Sequence, residues 1–394
     1  MSVTAPLGFR AAGVAAGIKP DRLDLALVVA DAPCAAAGVF TANLAQAAPV
    51  VLSHAHLAGG RARAIVANAG CANAATGDAG LADARETARL TALAAACPVE
   101  EVLVASTGVI GVRLPMDKLR AGIAAAFPRL SREGGSDAAR AILTTDTKPK
   151  EVVVPFSLSG VTCRVGAMAK GAGMIAPRMA TMLAFFTTDA AIEPTLLRRA
   201  LVESVGRSLN RITVDGDTST NDCAVVLASG ASGAAQVARE GAEYDALRDA
   251  LSEAASQLAR MLVKDGEGVT RIAEVRVEGA RTAADADQIA RTVAESPLVK
   301  TALHGGDPNW GRVLAAVGRA GVPLDVSRVS LWIGDVHVAE GGAACEYVEA
   351  SAAAAMREEP VRLRIRLAEG EASGWIWTSD FSQGYVEINA HYRS

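Results

Sequence analysis

The chain has 394 residues, of which 51% are hydrophobic and 21% charged, a composition typical of a globular protein with more than one core. Its formal net charge of −4 and the absence of any Lys/Arg-rich run exclude the basic surface that nucleic-acid binding requires. No stretch reaches about 18 apolar residues without a charge, and residues 1–19 lack a signal-peptide pattern. We therefore expect a cytoplasmic protein without a membrane partner.

Six cysteines are scattered along the chain, and none forms a Cys-x-x-Cys pair. Most have Ala or Val neighbours, which is typical of reduced thiols buried as small hydrophobic groups. We expect neither a disulfide nor a metal site from them.

The first 100 residues predict two strands and one long helix. Residues 8–19 are rich in glycine but lack the Gly-Lys-Ser/Thr end of a phosphate loop, so we predict an ordinary loop there. Residues 23–30 and 62–67 are apolar runs that predict buried strands. A helix is predicted from Asp78, as its N-cap, to Cys97.

A short apolar strand at residues 102–105 leads into Ser-Thr-Gly-Val-Ile-Gly at residues 106–111. Glycine allows backbone N–H groups to approach a ligand closely, as an oxyanion hole requires. Helices are predicted at 116–126 and 136–143, and a hairpin of strands at 152–158 and 162–169.

The hairpin leads to Lys170, a glycine- and proline-containing loop, and one hydroxyl at Thr181. The apolar run at residues 182–186 predicts a buried strand. Thr181 is therefore expected at the beginning of a buried strand.

Helices are predicted at 194–209 and 240–263, and a polar segment with Asp215, Asp217 and Asp222 lies between them. This segment is not an EF-hand, because Val226 stands where the twelfth-position Glu is required. We expect a hydrogen-bonded turn near the site and no metal.

From residue 272 the pattern alternates strand and helix, which predicts a smaller domain at roughly 272–370. Residues 374–394 alternate in a way that predicts strand.

A threonine hydroxyl is a weak nucleophile unless a base lies beside it, and the base can be the residue's own α-amino group. Thr181 would gain that amine if its hydroxyl attacked the carbonyl of Ala180 and water then split the chain. From residue types alone, the alternative of an inert Ala-Thr pair stays open.

Residues 170–183, Lys-Gly-Ala-Gly-Met-Ile-Ala-Pro-Arg-Met-Ala-Thr-Met-Leu, resemble the self-cleaving motif of the ornithine acetyltransferase family, the glutamate N-acetyltransferases of the cyclic arginine pathway. Further motifs match in the same order, at 8–19, 106–111, 144–147, 211–222, 265–268, 296–318 and 385–394. The resemblance therefore covers essentially the whole chain.

The resemblance implies an α/β fold, a layered sandwich of helices and β-sheets of the ornithine acetyltransferase/DmpA-like type, with a smaller C-terminal α/β domain. It implies cleavage into an alpha chain, 1–180, and a beta chain, 181–394, that assemble as a heterotetramer of two of each. The substrates implied are N-acetylornithine and glutamate, without a cofactor, and use of acetyl-CoA as a second donor is left open.

The resemblance also implies roles for individual residues of this sequence. Thr181 would be the nucleophile, and Thr107 and Gly108 would form the oxyanion hole. The implied substrate-binding residues are Thr147, Lys170, Thr181, Glu267, Asn389 and Ser394. In this reading Lys170 attracts an α-carboxylate and Glu267 the side-chain ammonium of ornithine.

Cys71, residues 381–384 and His391 depart from the family's usual residues, which leaves the preference for the acceptor open. One alternative keeps the nucleophile and makes the protein a self-processed amidase or aminopeptidase. A second treats residues 171–176, with Asp189, as a dinucleotide-binding fingerprint, but little room remains for the required helix and second strand. A third is a binding protein without catalysis.

Overall fold

The computed structural model describes residues 2–175 and 182–391. Within these ranges the chain divides into two compact units. The first contains the described residues up to 210 together with 217–262, and the second contains 211–216 and 263–391. Each unit has its own β-sheet.

The strands in the described part of the chain are, in order, β1 Phe9–Val14, β2 Leu25–Phe40, β3 Arg61–Cys71, β4 Val102–Val109, β5 Lys150–Leu158, β6 Val161–Lys170, β7 Leu183–Thr188, β8 Ile212–Thr213, β9 Cys223–Ala228, β10 Ile272–Ala280, β11 Ser330–Ile333, β12 Val336–Glu340, β13 Ala343–Ala344, β14 Val361–Arg366 and β15 Ala372–Ser379.

The helices in the same ranges are α1 Ala48–His56, α2 Gly77–Ala95, α3 Met116–Ala126, α4 Gly135–Ala141, α5 Pro194–Gly206, α6 Ala242–Lys264, α7 Ala283–Ala294, α8 Pro297–Gly305, α9 Trp310–Gly318, α10 Glu349–Ala355 and α11 Gln383–His391.

The sheet of the first unit has the strand order β4-β3-β2-β9-β7-β6-β5, and β1 pairs with β2 outside this path. The long strand β2 joins two halves of the sheet: its first part pairs with β3 and its last part with β9, with a register shift between Val29 and Cys34. Strands β7 and β9 are buried along their whole length, which explains why β9 is wholly apolar and β7 is apolar up to Phe186.

The core of the first unit lies on both faces of this sheet. One buried cluster combines Ile65 and Leu103 from one half of the sheet with Phe185 and Val225 from the other, together with alanines of α4. A second cluster packs α2 and α3 against the alternate residues of β2, β3 and β4. The two halves of the sheet therefore share one core, and helices cover the sheet in layers.

The sheet of the second unit has the order β13-β12-β11-β14-β10-β15-β8. Its core packs α7, α8 and α9 against β10, β14 and β15. Helix α7 begins where Thr282 accepts a hydrogen bond from the backbone N–H of Asp285. Strand β14 alternates buried and exposed residues, as expected for a sheet with one face on the core.

The α/β fold with two sheets and covering helices confirms the predicted fold class. The helix predicted at 116–126 is present as α3, and the predicted hairpin is β5 and β6 joined at Ser159 and Gly160. The six cysteines carry free thiols, four of them buried and two half-buried. No helix of the described residues is long and apolar enough to cross a membrane.

Three local predictions were wrong. Residues 9–14 form β1, because pairing with β2 stabilises an extended backbone that the glycines alone do not specify. Helix α2 begins at Gly77, so Asp78 lies in its first turn and is not the N-cap. The segment from residue 374 is strand only to Ser379, and residues 383–391 form helix α11. No residue of α11 is buried, so its sequence does not need the apolar stripe by which a helix is recognised.

Candidate functional site

Lys170, the last residue of β6, is buried with 3% of its surface exposed. Its ammonium nitrogen Nζ lies 2.7 Å from Oγ1 of Thr144 and 3.3 Å from Oγ1 of Thr107. Asp146 is the nearby anion, with its Oδ2 3.8 Å from the same nitrogen. Lys170 is therefore not a solvated loop cation, because hydroxyls and a carboxylate surround its charge inside the first unit.

Asp146 connects this cluster to the backbone. Its Oδ1 accepts hydrogen bonds from Lys150 Nζ at 2.7 Å and from the N–H of Gly171 at 2.6 Å, and its Oδ2 accepts from the N–H of Thr144 at 3.0 Å. Burial raises the pKa of Asp146, but the ammonium groups of Lys170 and Lys150 and these bonds outweigh burial and hold the pKa below its usual range. Asp146 is therefore ionised at neutral pH.

Thr107 and Gly108 lie at the end of β4, where the strand pairs in parallel with β3. Gly108 has φ = +130°, and a Cβ added there would lie 2.4 Å from the carbonyl carbon of Gly70. Only glycine fits at this position, because any side chain would collide with the neighbouring backbone. The glycine is therefore required here for the close packing of the two strand ends.

An amide network holds the residue before Thr107. The hydroxyl of Ser106 donates to Oδ1 of Asn68 at 2.7 Å, and Nδ2 of Asn68 donates to the carbonyl of Cys71 at 2.9 Å. The carbonyl of Ser106 accepts from Nδ2 of Asn221 at 2.9 Å. These bonds fix the backbone at the joint end of β3 and β4.

Met182, directly before β7, is buried and its N–H donates to Oδ1 of Asp222 at 2.8 Å. The carbonyl of Met182 accepts from the N–H of Cys223 at 3.1 Å. Burial raises the pKa of Asp222 well above its usual value, although the bond from Met182 and the charge of Lys170 oppose the shift. Burial therefore favours the neutral form of the Asp222 carboxyl group.

In the second unit, Glu267 is buried with 7% exposed, and its Oε2 accepts from Nδ2 of Asn389 at 2.8 Å. Ser382 donates to the carbonyl of Gly268, and the N–H of Tyr385 donates to Oγ of Ser382 at 3.2 Å. These hydrogen bonds hold helix α11 against the segment that contains Glu267. Glu267 is not a solvated charge at a helix end.

The remaining residues that the sequence analysis assigned to the site are not part of these two clusters of contacts among the described residues. Thr147 is exposed, and Thr144, three positions earlier, provides the hydroxyl beside Lys170. Ala180, Thr181 and Ser394 lie outside the described residues. The structure therefore brings Thr107 to Lys170 in the first unit and Asn389 to Glu267 in the second.

Sequence reasoning gave no individual role to several residues of these contacts, among them Thr144, Asp146, Lys150 and Asn221. The polar run at 144–147 and the i,i+4 spacing of Asp146 and Lys150 were the available signals. Neither signal predicts that an Asp and two Lys become buried together, because that depends on strands distant in sequence.

The dinucleotide-binding alternative is wrong. Strands β6 and β7 pair antiparallel, whereas a dinucleotide fold requires parallel strands connected through a helix. Within residues 2–175 and 182–391, no group of three His, Cys, Asp or Glu side chains lies close enough to hold a metal ion. Asp222 instead binds the backbone of Met182.

The first unit therefore combines a buried ammonium, hydroxyls beside it, and a glycine where the ends of two strands pack closely. Such groups stabilise the negative charge that develops when an acyl carbonyl is attacked. An α/β fold with such a site is typical of enzymes that transfer acyl groups.

Comparison with known proteins gives the family. The ArgJ family model matches residues 10–394. The arginine biosynthesis bifunctional protein ArgJ of Symbiobacterium thermophilum is 51% identical, over 100% of this chain and 98% of the relative. That of Geobacter sulfurreducens is 47% identical, over 98% and 99% of the respective chains. The chain belongs to the ArgJ family.

A solved structure is also similar. The crystal structure of the arginine biosynthesis bifunctional protein ArgJ from Bacillus halodurans matches with a TM-score of 0.52 and 38% identity. The match covers 54% of this chain and 100% of the solved chain.

Proposed function

We propose that this chain transfers an acetyl group from N-acetylornithine to glutamate, giving ornithine and N-acetylglutamate. Family membership over residues 10–394 supports a place in arginine biosynthesis, for which the relatives are named. The observation that carries the proposal is the buried Lys170 ammonium between the hydroxyls of Thr107 and Thr144. The relatives are named bifunctional, which supports acetyl-CoA as a second donor for glutamate. No other cofactor is required.

The chain first cleaves itself between Ala180 and Thr181. The Thr181 hydroxyl attacks the carbonyl carbon of Ala180, a C–O bond forms, and the C–N bond breaks as the nitrogen takes the proton. Water then hydrolyses the ester, which leaves a carboxylate on Ala180 and a free hydroxyl and amine on Thr181. Unperturbed α-amines have a pKa of about 7.7–8.0, so this amine serves as a base near neutral pH.

Acetyl transfer follows the same chemistry. The Thr181 hydroxyl attacks the acetyl carbonyl of N-acetylornithine, the amide C–N bond breaks, and ornithine leaves after its nitrogen takes the proton. The neutral amine of glutamate then attacks the acetyl ester and restores the hydroxyl. Donors from Thr107 and Gly108 stabilise the oxyanion in both steps, and loss of one such donor typically costs about 10²–10³ in rate.

Lys170 binds the carboxylate of the substrate. Its ammonium is buried beside the Asp146 carboxylate, which is closer to Lys150 than to Lys170, and beside the hydroxyls of Thr107 and Thr144. A buried ammonium of this kind binds a carboxylate through charge-assisted hydrogen bonds, which are stronger than neutral ones. Glu267, held by Asn389, binds the ammonium of ornithine. We assign Thr147 and Ser394 to substrate binding on the family resemblance alone.

The two fragments remain together after cleavage. Cleavage after Ala180 divides the 394 residues into an alpha chain of 180 and a beta chain of 214. Strands β7 and β9 belong to the beta chain, yet they lie between β2 and β6 of the alpha chain in one sheet. The ladder hydrogen bonds on both sides therefore hold the fragments. We propose that two alpha and two beta chains form a heterotetramer.

The solved Bacillus halodurans chain supports this division. The match covers the whole of the solved chain but only 54% of this chain. A beta chain of 214 residues would be the same share of the 394 residues. Light scattering tests the assembly. A mass near twice the 40.3 kDa of one chain is expected, and a mass near 40.3 kDa would contradict the heterotetramer.

One experiment tests the proposed function. Purified protein is analysed on a denaturing gel and by mass spectrometry, and then incubated with N-acetylornithine with and without glutamate. We expect two fragments, the larger beginning at Thr181, and N-acetylglutamate only when glutamate is present. Thr181→Ala should remain intact and inactive, whereas the control Thr162→Ala, at an exposed position in β6, should behave as wild type. Release of free acetate independent of glutamate would instead indicate the amidase.

A further inference from the structure

Two consecutive residues, Asn221 and Asp222, bind two separate parts of the candidate site. Asn221 binds the carbonyl of Ser106, directly before Thr107, and Asp222 binds the N–H of Met182, directly after Thr181 in the sequence. We propose that Asn221 and Asp222 are a positioning pair, which holds the backbone of the oxyanion segment and the backbone of the nucleophile segment at a fixed distance. This inference rests on the proposed function and adds two residues to it.

The position of the pair in the sheet supports this role. Strands β7 and β9 pair in parallel, with Leu183 opposite Cys223, so Met182 lies opposite Asp222. Met182 is bound at both of its backbone groups, its N–H by Asp222 Oδ1 and its carbonyl by the N–H of Cys223. The carbonyl of Asp222 accepts from the N–H of Thr41 at 3.0 Å. The first residues of β7 are therefore fixed by the beginning of β9.

Asn221 is held in one orientation by its own hydrogen bonds. Its Nδ2 donates to the carbonyls of Ala72 at 2.6 Å and Ser106 at 2.9 Å, and its Oδ1 accepts from Oγ1 of Thr220 at 2.6 Å. Both amide hydrogens face carbonyl acceptors, so a carboxylate could not replace this amide without repulsion. Asn221 is also buried, with 6% exposed. The side chain thus connects the ends of β3 and β4 to β9.

Asp222 acts through hydrogen bonding and not through charge. Its side chain is fully buried. Burial raises the pKa of this carboxyl group well above its usual value, although the hydrogen bonds from Met182 and Ser219 and the charge of Lys170 oppose the shift. An asparagine has the same shape and the same carbonyl acceptor for the Met182 N–H. Asp222→Asn should therefore preserve the positioning, whereas Asp222→Ala removes it.

Asp189 provides a matched control at the other end of β7. It is likewise fully buried, and it accepts backbone hydrogen bonds from Arg164 at 2.8 Å and Leu7 at 3.0 Å. Its removal should destabilise the same sheet, but it contacts neither Ser106 nor Met182. A comparison of Asp222→Ala with Asp189→Ala therefore separates positioning of the site from general stability.

The experiment measures three quantities for each variant: the half-time of self-cleavage, kcat and KM of acetyl transfer, and the temperature of thermal unfolding. For Asp222→Ala we expect slower cleavage and about 10²-fold lower kcat with KM unchanged, because a small misplacement of reacting groups has this effect. Asp222→Asn should keep wild-type cleavage and kcat. Asp189→Ala should unfold at lower temperature without a loss of kcat.

Asn221→Asp keeps the shape of the side chain and provides a second test of the positioning pair if Asp222→Ala does not fold. We expect it to lower kcat while KM stays unchanged. Equal kcat losses in Asp222→Ala and Asp189→Ala, wild-type kcat in Asn221→Asp, or a folded but inactive Asp222→Asn would each overturn the inference. A wild-type protein that neither cleaves nor transfers acetyl groups overturns the proposed function as well. An active wild type with unaffected variants overturns the positioning pair alone.

Discussion

The ammonium of Lys170 lies 3.3 Å from the hydroxyl of Thr107, although four strands separate β6 from β4 in the order of the sheet. A flat sheet would place such strands more than about 20 Å apart, because neighbouring strands are about 4.8 Å apart. The two halves of the sheet, which β2 joins, contribute side chains to one buried cluster, so strands that are distant in the order of the sheet come close in space. The site therefore depends on how the two halves pack together.

Lys170→Met should lower kcat/KM by about 10²-fold or more, since removal of one partner from a buried charged contact costs about 2–5 kcal/mol. The reason is the loss of the ammonium that binds the substrate carboxylate, so most of the effect should fall on KM. Steady-state kinetics with N-acetylornithine measure it. Lys118→Met is the control, because Lys118 is exposed and bonds only the carbonyl of Gly17 among the contacts the structure describes. Equal KM values in the two variants would contradict the role of Lys170.

Gly108→Ala should damage both stability and catalysis. Its Cβ would lie 2.4 Å from the backbone of Gly70, in addition to the strain of φ = +130°. Gly160→Ala is the matched control, because Gly160 has φ = +84° but open space around it, so it carries only a strain of about 1–2 kcal/mol. Thermal unfolding and kcat are the measurements. If Gly108→Ala destabilises no more than Gly160→Ala, then the close contact with Gly70 is unimportant.

Glu267→Gln should raise the KM for N-acetylornithine while the self-cleavage rate stays unchanged. The substitution removes the negative charge but keeps an oxygen that accepts from Asn389. A charge-assisted hydrogen bond is roughly twice as strong as a neutral one, so about a tenfold change in KM is expected. Glu371→Gln, at an exposed position in the same unit, is the control. An unchanged KM would remove Glu267 from the list of substrate-binding residues.

Asp222→Asn should change how stability depends on pH. The pKa of Asp222 is raised in the folded protein above the unfolded value of about 3.9, so the folded state binds the additional proton. The contribution of this group to the free energy of unfolding therefore falls as pH rises above about 4. Asparagine has no proton to lose and removes this contribution. Unfolding temperatures at pH 4 and pH 7 should show Asp222→Asn gaining relative to wild type at the higher pH, and a constant difference would contradict a protonated Asp222.

Lys300 in α8 leads to the opposite pH dependence. Burial lowers the pKa of Lys300 to about 7, although Asp215, Asp380 and Glu295 oppose the shift. Between pH 7 and about 10.4 the unfolded state binds the additional proton, so this group makes the wild type more stable as pH rises and less stable as pH falls toward 7. Lys300→Met should remove that slope, and it should also lose the hydrogen bond to Oγ1 of Thr378 at 3.0 Å. Unfolding temperatures from pH 7 to pH 9.5 measure the slope, and parallel curves for the two proteins would contradict the shift.

Much of the local structure followed from the sequence. The apolar run at residues 182–186 predicts the buried strand β7, and the hairpin at Ser159 and Gly160 follows from turn residues between two strand patterns. These signals are local, because strand burial and turn geometry depend on neighbouring residues. The motif at residues 170–183 indicated the family, and the match of the family model over residues 10–394 confirms this prediction.

The tertiary structure alone decided which side chains meet. The family resemblance assigned roles to Lys170 and Thr107, and the sequence predicted that Asp222 lies in a turn near the site. It did not predict that Lys170 contacts Thr144 or that Asp222 binds the backbone of Met182. These contacts join residues 26 and 40 positions apart in the chain. They depend on strand order and strand pairing, which arise from packing of the whole core and have no local pattern in the sequence.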